Sequence, residues 1–238
     1  MAFSEIVAPT LRELFVRQIL EMIFSGELKP GDRLPPEREL AETMKISRSM
    51  VHVGLEDLER MGFVTVEPRK CAYVANYTEN GNFETLGAIV RYHGGNFPEN
   101  MNISFVEMRN AIEGGAMIRL GKTRTQEDLN RLRKLAGDYR EALARKTDIP
   151  TLARMMREFH TEITKLSGNS LFPMLMHSFD QVSLYLWEEC VRFWGEETTL
   201  KQEEKLIELL ERGEGHEAAH YIENIFERYL EANGLKRG

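Results

Sequence analysis

Cysteine is scarce in this sequence, which has only Cys71 and Cys190 among 238 residues. Two cysteines cannot form a disulfide framework, so two free thiols in a reducing compartment are the simplest interpretation. Long apolar runs are absent as well, because none approaches the ~18–20 residues that a transmembrane helix needs. The first residues also lack the basic stretch, apolar block and cleavage site of a secretory signal. We therefore expect a cytoplasmic protein that does not interact with a membrane.

An excess of positive charge is also missing. The chain has 31 Lys and Arg residues against 38 Asp and Glu residues, which gives a formal net charge of −7. This balance disfavours indiscriminate binding to nucleic acid, which depends on neutralising many phosphates. Any binding to DNA must come from a local cluster of basic residues, and we expect it to be weak on random DNA and steeply dependent on salt.

Motifs of enzymes are missing too. The sequence has no nucleophile–base arrangement, no glycine-rich loop that would cradle a phosphate, and no set of four metal ligands. These absences favour a binding protein and predict that the chain is not an enzyme. An enzyme that used His160 together with Glu203 would be the alternative.

What the sequence does contain is a dense series of helix-end and turn signals between residues 26 and 74. Residues 10–25 have the apolar spacing of an amphipathic helix, and a second helix of about two turns follows. A third helix is capped by Ser47 or Ser49. Residues that end helices or form turns separate these elements: Gly26, Pro30, Gly31, Pro36 and Gly62. Two β-prone runs complete a winged helix-turn-helix pattern, at 63–66 and 72–74.

The rest of the chain has a helical pattern throughout. Residues 76–83 are polar and turn-prone, and we interpret them as a linker. Helices are predicted near 83–93, 104–121, 125–145, 150–167, 172–193, 198–212 and 215–233. Short loops between six or seven helices predict an antiparallel bundle. The predicted fold is therefore mainly α, with a winged helix-turn-helix domain at 1–75, a small β wing, and an all-helical domain at 84–238.

Residues from Val16 to Val74 resemble the DNA-binding domain of the GntR family of bacterial transcription regulators. The resemblance rests on the run Gly-Glu-Leu-Lys-Pro-Gly-Asp-Arg-Leu-Pro at 26–35 and on Glu-Arg-Glu-Leu-Ala at 37–41. It also includes the pair Ser47-Arg48 and the spacing of Leu58 and Gly62. The match covers about sixty residues and is far more specific than a lone helix-turn-helix pattern.

The order of a short winged-helix head and a helical domain resembles the FadR-like branch of that family. The C-terminal resemblance is looser and rests on four short segments: Glu107-x-Arg109-x-x-Ile112-Glu113, Phe159-His160-x-x-Ile163, Leu166-Ser167-Gly168-Asn169, and the Gly213 turn before the last helix. It implies a homodimer that binds double-stranded DNA at a palindromic operator. It also implies a small-molecule effector in the helical domain, and we expect the regulator to be a repressor.

The recognition helix of such a head places its first residues in the major groove. Arg48 is the expected base reader, because a guanidinium can donate two hydrogen bonds to guanine O6 and N7. The resemblance implies that Arg38 also contacts base or phosphate. Ser47 and Ser49 can donate to phosphate, although capping of the helix would explain Ser47 equally well.

Several positions depart from the family pattern where DNA would bind. His52 stands where Arg is usual, and Gly54 stands where Ala is usual, which lowers helix stability by up to ~1 kcal/mol. In the wing, Arg69 and Cys71 replace glycines, and Arg69 and Lys70 could reach the minor groove or its phosphates. These changes predict an altered operator. The alternative is a metabolite- or partner-binding protein of the same fold that has lost sequence-specific DNA binding.

Many FadR-like relatives hold a metal ion through one Asp and three His residues. In this sequence His160 matches one ligand, Met156 stands at the Asp position, and Glu203 and Ile225 stand at the others. A divalent metal needs three or four such ligands, so we predict no metal and no other cofactor. His216 and His220 are four residues apart, and without a third ligand we interpret them as a solvated helix face.

We expect a carboxylate or acyl-type effector instead of a metal. In relatives the residue that matches Arg109 grips a ligand carboxylate, although an internal ion pair with Glu113 or Glu203 would also explain it. His160 is either a pocket donor or a core histidine, and Asn169 could simply close its helix. The candidate effector site comprises Arg109, Glu113, His160, Asn169 and Glu203. The Met- and aromatic-rich segment 172–194 forms either core or a ligand wall.

Overall fold

The structure, a computed structural model, describes residues 8–67, 71–93 and 99–234. The predicted fold class is confirmed, because these residues form twelve helices and one two-stranded sheet. The chain divides into two compact units between Tyr92 and His93. No helix in the described ranges combines the length and apolar character that crossing a bilayer requires.

The N-terminal unit is a winged helix-turn-helix with two additional helices. Its elements are α1 Leu11–Phe24, α2 Glu37–Met44, α3 Arg48–Arg60, β1 Val64–Val66, β2 Ala72–Val74, α4 Tyr77–Asn80 and α5 Phe83–His93. The two strands pair antiparallel, with Val64 opposite Val74 and Val66 opposite Ala72. Alternate strand residues face the core, where the side chains of Val64, Ala72 and Val74 are buried.

The turn between α2 and α3 sets the direction of the recognition helix. Lys45 ends α2 in the left-handed conformation, with φ 54°, and the Ile46 amide donates to the Ala41 carbonyl. Ser47 is extended, and its Oγ accepts a hydrogen bond from the Met50 amide at 3.3 Å. Because the chain reverses within three residues, α3 must cross α2 rather than continue it.

Gly54 has a packing role that its helix position alone does not suggest. A Cβ atom on Gly54 would lie 2.4 Å from Cδ1 of the Phe15 ring. Phe15 on α1 is buried, so its ring has little space into which it could move. The close packing of α1 against α3 therefore requires glycine at this position, and it accounts for the departure from alanine.

Residues 76–83, predicted as a linker, are ordered against the reading head. They include α4 and the start of α5. The Thr85 hydroxyl donates to the Met61 carbonyl at 2.6 Å, and the side-chain Nδ2 of Asn82 donates to the Arg60 carbonyl at 3.2 Å. These hydrogen bonds tie α5 to the end of α3, so the boundary between compact units falls after Tyr92 rather than at 76–83.

The C-terminal unit contains seven helices within its described residues. They are α6 Glu99–Thr123, α7 Gln126–Ala144, α8 Ile149–Leu166, α9 Leu171–Ser178, α10 Asp180–Trp194, α11 Glu196–Arg212 and α12 Gly215–Ala232. The single helix predicted at 172–193 is two helices, because Phe179 leaves the helical region with φ −116° and ψ 20°. The other predicted helices of this unit occur, and the largest shift is the earlier start of α6.

Helices α6 and α12 approach each other through glycine. A Cβ atom on Gly121 of α6 would lie 2.7 Å from the Cα atom of Gly215 on α12. A Cβ atom on Gly215 would lie 2.5 Å from the carbonyl oxygen of Met117. Backbone therefore packs directly on backbone at this crossing.

We expect Gly54→Ala to lower the free energy of unfolding by about 1–3 kcal/mol, because the added methyl group overpacks the Phe15 contact. Alanine would otherwise stabilise a helix interior by up to ~1 kcal/mol relative to glycine. Urea denaturation followed by circular dichroism would measure the change. Gly137→Ala in α7 is the matched control, since its Cβ would meet nothing within 4 Å. Equal stability of the two variants would contradict the packing role of Gly54.

Candidate functional site

All five predicted DNA-contacting residues that the structure describes are exposed on the helix-turn-helix. The side chains of Arg48 and His52 on α3 are 75% and 56% exposed, and that of Arg38 on α2 is 84% exposed. Arg48 is the first residue of α3 and His52 lies one turn further along. Residues four apart share a helix face, so both can approach the same ligand.

Glu37 contacts both Arg48 and His52 of α3. One carboxylate oxygen accepts a hydrogen bond from Arg48 Nε at 3.2 Å, and the other lies 2.8 Å from His52 Nδ1. Glu56 lies 3.4 Å from the other ring nitrogen of His52. The hydrogen bond with His52 lowers the pKa of Glu37, and the bond and charge of Glu37 raise the pKa of His52. Sequence reasoning missed the Glu37 contacts, because only the crossing of α2 and α3 makes Glu37 a neighbour. The Glu56 contact was also missed, although its spacing of four residues from His52 on α3 signals it.

The other predicted DNA contacts, where the structure describes them, bond to neighbouring side chains of the helix-turn-helix. Ser47 caps α3, and its Oγ lies 3.0 Å from that of Ser49. Arg38 pairs with Glu42 across one helical turn at 2.9 Å. Arg69 and Lys70 lie outside the described residues.

A second cluster of charge is buried inside the helical unit. The Nε atom of Arg109 on α6 donates to Oε1 of Glu113 at 3.0 Å, and Nη2 donates to the same oxygen. His160 on α8 bonds the other carboxylate oxygen through Nδ1 at 2.8 Å. All three side chains are almost fully excluded from solvent. Of the two ion pairs anticipated for Arg109, the one with Glu113 is formed.

Aromatic rings cover this cluster on two sides. The guanidinium carbon of Arg109 is 4.6 Å from the centre of the Trp187 ring and 5.5 Å from that of Phe226. The His160 ring lies 4.4 Å from Trp187 at an angle of 31°. Aromatic faces attract cations, so Trp187 and Phe226 stabilise Arg109 in a dry interior. The Met- and aromatic-rich pattern placed Trp187 in either core or ligand wall, but it gave no sign that Trp187 contacts Arg109.

The ionisation states of the cluster follow from these contacts. Burial alone would raise the pKa of Glu113, but the charges of Arg109 and His160 and their hydrogen bonds lower it to about 2. The carboxylate is therefore charged at neutral pH and balances the guanidinium. Nη1 of Arg109 and Nε1 of Trp187 have no hydrogen-bond partner among the residues described. Both atoms are therefore buried donors whose hydrogen-bonding capacity the described residues do not satisfy.

Glu203 and Asn169 do not join the cluster. Glu203 on α11 is buried, and neither carboxylate oxygen has a partner within the described part of the chain. Burial raises the pKa of Glu203 well above its ordinary value, which favours the neutral form of the acid. Asn169 follows α8, where its Oδ1 accepts from the Leu171 amide at 3.0 Å. This contact lies at the start of α9, so it differs from the anticipated role of closing the preceding helix.

The positions where relatives hold a metal are apolar apart from His160 and Glu203. Met156 and Ile225 are both buried hydrophobic residues. Over the described ranges, no three His, Cys, Asp or Glu side chains form a group that could hold a metal ion. His216 and His220 line a groove of about 450 Å³ between α6 and α12, together with Glu107 and Glu223.

Comparison with known families assigns both units. The description "Bacterial regulatory proteins, gntR family" matches residues 11–74, and the FCD domain matches residues 104–228, which is more than half of the chain. The chain belongs to the GntR family. Its FCD domain contains the buried cluster of Arg109, Glu113 and His160, and its helix-turn-helix presents Arg48 and His52.

Several relatives of this GntR regulator cover most of its length. The HTH-type transcriptional regulator LutR of Bacillus subtilis is 26% identical over 225 residues, which are 89% of this chain and 99% of LutR. The HTH-type transcriptional repressor NanR of Cronobacter sakazakii is 27% identical over 170 residues, which are 70% of this chain and 62% of NanR. The protein is therefore similar to transcription regulators and not to enzymes, and it combines a reading head with a metabolite-sensing domain.

A solved structure supports the fold. The structure titled "Lar controls the expression of the Listeria monocytogenes agr system and mediates virulence" is 17% identical, with a TM-score of 0.54, and it covers 93% of this chain and 95% of that chain. Identity at this level supports a shared fold and says nothing about a shared ligand.

We expect Glu113→Gln to lower the free energy of unfolding by about 3–5 kcal/mol at pH 7, because it leaves Arg109 buried without a counter-charge. The lowered pKa of Glu113 means that its contribution is fully present above pH 4.5 and is lost as the pH falls towards about 2. The difference between wild type and variant should therefore shrink in acid. Chemical denaturation at pH 7 and pH 3.5 would measure it.

Glu127→Gln is the control for this prediction, because Glu127 pairs with Arg131 across one turn on an exposed face. Exposed pairs contribute little, so this change should have no measurable effect. A Glu113→Gln variant as stable as Glu127→Gln would show that Arg109 does not depend on Glu113.

Proposed function

We propose that this GntR regulator is a homodimeric repressor that binds a palindromic operator and responds to a carboxylate or acyl-type metabolite. The observation that carries the effector class is the buried guanidinium of Arg109, which keeps one free donor, Nη1, beside the free Nε1 of Trp187. The name of NanR, a repressor, supports the sign of regulation.

The proposed DNA interface uses the exposed start of α3. Arg48 would read guanine, and Arg38 would contact base or phosphate from α2. Both are exposed and held only by single carboxylates, Glu37 and Glu42. Such exposed pairs are weak, so a phosphate or base edge can replace the carboxylate. Ser47 and Ser49 would add phosphate contacts that fix the register, and Arg69 and Lys70 are proposed contacts of the wing.

The proposal of a homodimer follows from the size of the reading head. One helix-turn-helix reads only a few base pairs, so two copies on a palindrome are needed for useful specificity. The symmetry of the operator would then mirror the two-fold symmetry of the protein.

The proposed effector site is centred on the free donors of Arg109 and Trp187. A carboxylate placed there would accept from Nη1, and Glu113 would keep the guanidinium oriented through Nε and Nη2. An effector carboxylate gains less binding free energy from a guanidinium that is already paired than from an unpaired one. His160 would therefore have to donate a hydrogen bond to it as well. Glu203 and Asn169 are proposed to contact other polar groups of the effector. Regulation requires that the effector prefer one arrangement of the two reading heads.

We expect Arg48→Ala to weaken binding to a selected operator by about 1–3 kcal/mol, roughly 5- to 150-fold, and to relax selectivity at one base pair. Selection from a random duplex pool at two salt concentrations would supply the operator, and fluorescence anisotropy would measure affinity. Arg145→Ala is the matched control, because Arg145 is equally exposed and pairs with Glu141 on the helical unit. Equal losses for both variants would contradict base reading by Arg48. Failure to select any motif would favour a ligand-binding protein without operator recognition.

We expect at least one member of a panel of organic acids and acyl-CoA thioesters to bind the wild-type protein and change its affinity for the operator. Isothermal titration calorimetry would measure binding. The double variant Arg109→Met/Glu113→Leu replaces both buried charges with apolar side chains of similar volume, and it should abolish binding while keeping its helical circular dichroism. Silence across the whole panel, or unchanged binding by the double variant, would rule out this effector class.

A further inference from the structure

The imidazole of His52 lies between two carboxylates on the exposed face of the reading head. Its Nδ1 is 2.8 Å from Oε1 of Glu37 on α2, and its Nε2 is 3.4 Å from Oε1 of Glu56, one turn along α3. An ionised carboxylate can only accept hydrogen bonds, so Nδ1 donates to Glu37, and the charge of Glu56 beside Nε2 further stabilises a protonated ring. The arrangement therefore favours the imidazolium over the neutral ring.

The other charges near the ring do not reverse this preference. Glu37 and then Glu56 raise the pKa of His52, and the positive charge of Arg48 acts in the opposite direction. Helix α1 also packs on α3, but its Arg12 is paired with Asp57 at 2.5 Å. Strand β1 contains no charged residue, and α5 contacts the far end of α3, where its Glu84 pairs with Arg60.

Glu37 contacts both Arg48 and His52 of the recognition helix. It is the first residue of α2, and its two oxygens contact Arg48 Nε and His52 Nδ1 separately. Since Arg48 and His52 are four residues apart on α3, a single carboxylate spans one turn of the reading surface. Loss of Glu37 would release both side chains at once.

We propose that Glu37 and Glu56 keep His52 as a second cation beside Arg48 on the DNA-reading face, so that operator binding weakens as the pH rises through neutrality. This inference rests on the proposed DNA-binding function. A protonated His52 has two N–H donors and a charge, and it can contact a phosphate or the acceptor edge of guanine. A neutral His52 loses the charge and one donor. Glu37 is then a positioning residue that sets specificity through Arg48 and His52.

The sign of the pH dependence follows from linkage. A phosphate or guanine edge near His52 favours the protonated form further, so DNA binding takes up a fraction of a proton above the pKa of free His52. One linked proton can raise the dissociation constant by at most about tenfold for each pH unit. The effect belongs to the neutral range because the pKa of His52 is raised from its ordinary value of 6.5.

Anisotropy titrations with the selected operator at pH 6.0–8.5 and constant salt would test the proposal. We expect the wild-type affinity to fall by about tenfold across this range. His52→Arg should bind without pH dependence and as tightly as wild type at low pH, and His52→Gln should bind weakly and also without pH dependence. Glu56→Gln should move the wild-type midpoint to lower pH. An unchanged wild-type affinity, a rise with pH, or the same profile in His52→Gln would overturn the inference.

The charge of His52 can be measured without DNA. In the full-length protein with labelled histidine, the His52 imidazole resonance should titrate with a pKa above the ordinary value of 6.5. The double variant Glu37→Gln/Glu56→Gln should bring this midpoint down. A wild-type midpoint at or below 6.5 would overturn the inference.

The two readouts separate the inference from the function on which it depends. If no variant binds any selected sequence at any pH, the DNA-binding function fails and this inference fails with it. If wild type binds a selected operator equally at every pH, the DNA-binding function stands and the role of His52 alone is excluded.

Discussion

The buried ion pair of Arg109 and Glu113 is the interaction on which the helical unit depends. A guanidinium placed inside a protein needs a counter-charge, because transfer from water to a dry interior is otherwise prohibitive. Helix α6 supplies both charges, α8 adds His160, and the rings of Trp187 on α10 and Phe226 on α12 cover them. The positions of four helices are thus tied to one charged group.

The two units place the same three residue types in opposite environments. In each, a Glu carboxylate bonds an Arg and lies 2.8 Å from the Nδ1 atom of a His. The Arg48 cluster is exposed, where water screens its charges and partners can exchange. The Arg109 cluster is dry, where exchange would leave a bare charge. Because the Arg48 cluster is open to solvent, its side chains can exchange their carboxylate partner for a polyanion. The Arg109 cluster is closed to solvent, so it keeps its internal ion pair, and Nη1 of Arg109 stays unpaired among the described residues.

Sequence reasoning went furthest where a signal is local. The helix order, the turn residues and the strands at 64–66 and 72–74 follow from spacing and from glycine, proline and serine, and the partner of Arg109 lies one turn away on the same helix. What it missed depends on contacts between elements distant along the chain. The Glu37 contacts require the crossing of α2 and α3, and the need for Gly54 comes from Phe15 on another helix. The break at Phe179 was missed for a different reason, because the apolar pattern of the sequence continues across it.

The glycine crossing of α6 and α12 limits how the helical unit can transmit a signal. Helices that pack through side chains can slide by changing rotamers, but at Gly121 and Gly215 no side chain intervenes. Sliding would drive one backbone into the other, so a displacement of α6 carries α12 with it. At this crossing the two helices therefore move together. Further along they meet through side chains, as Arg109 and Phe226 do at 5.5 Å, so the glycine crossing is a fixed point about which the rest of α6 and α12 can adjust.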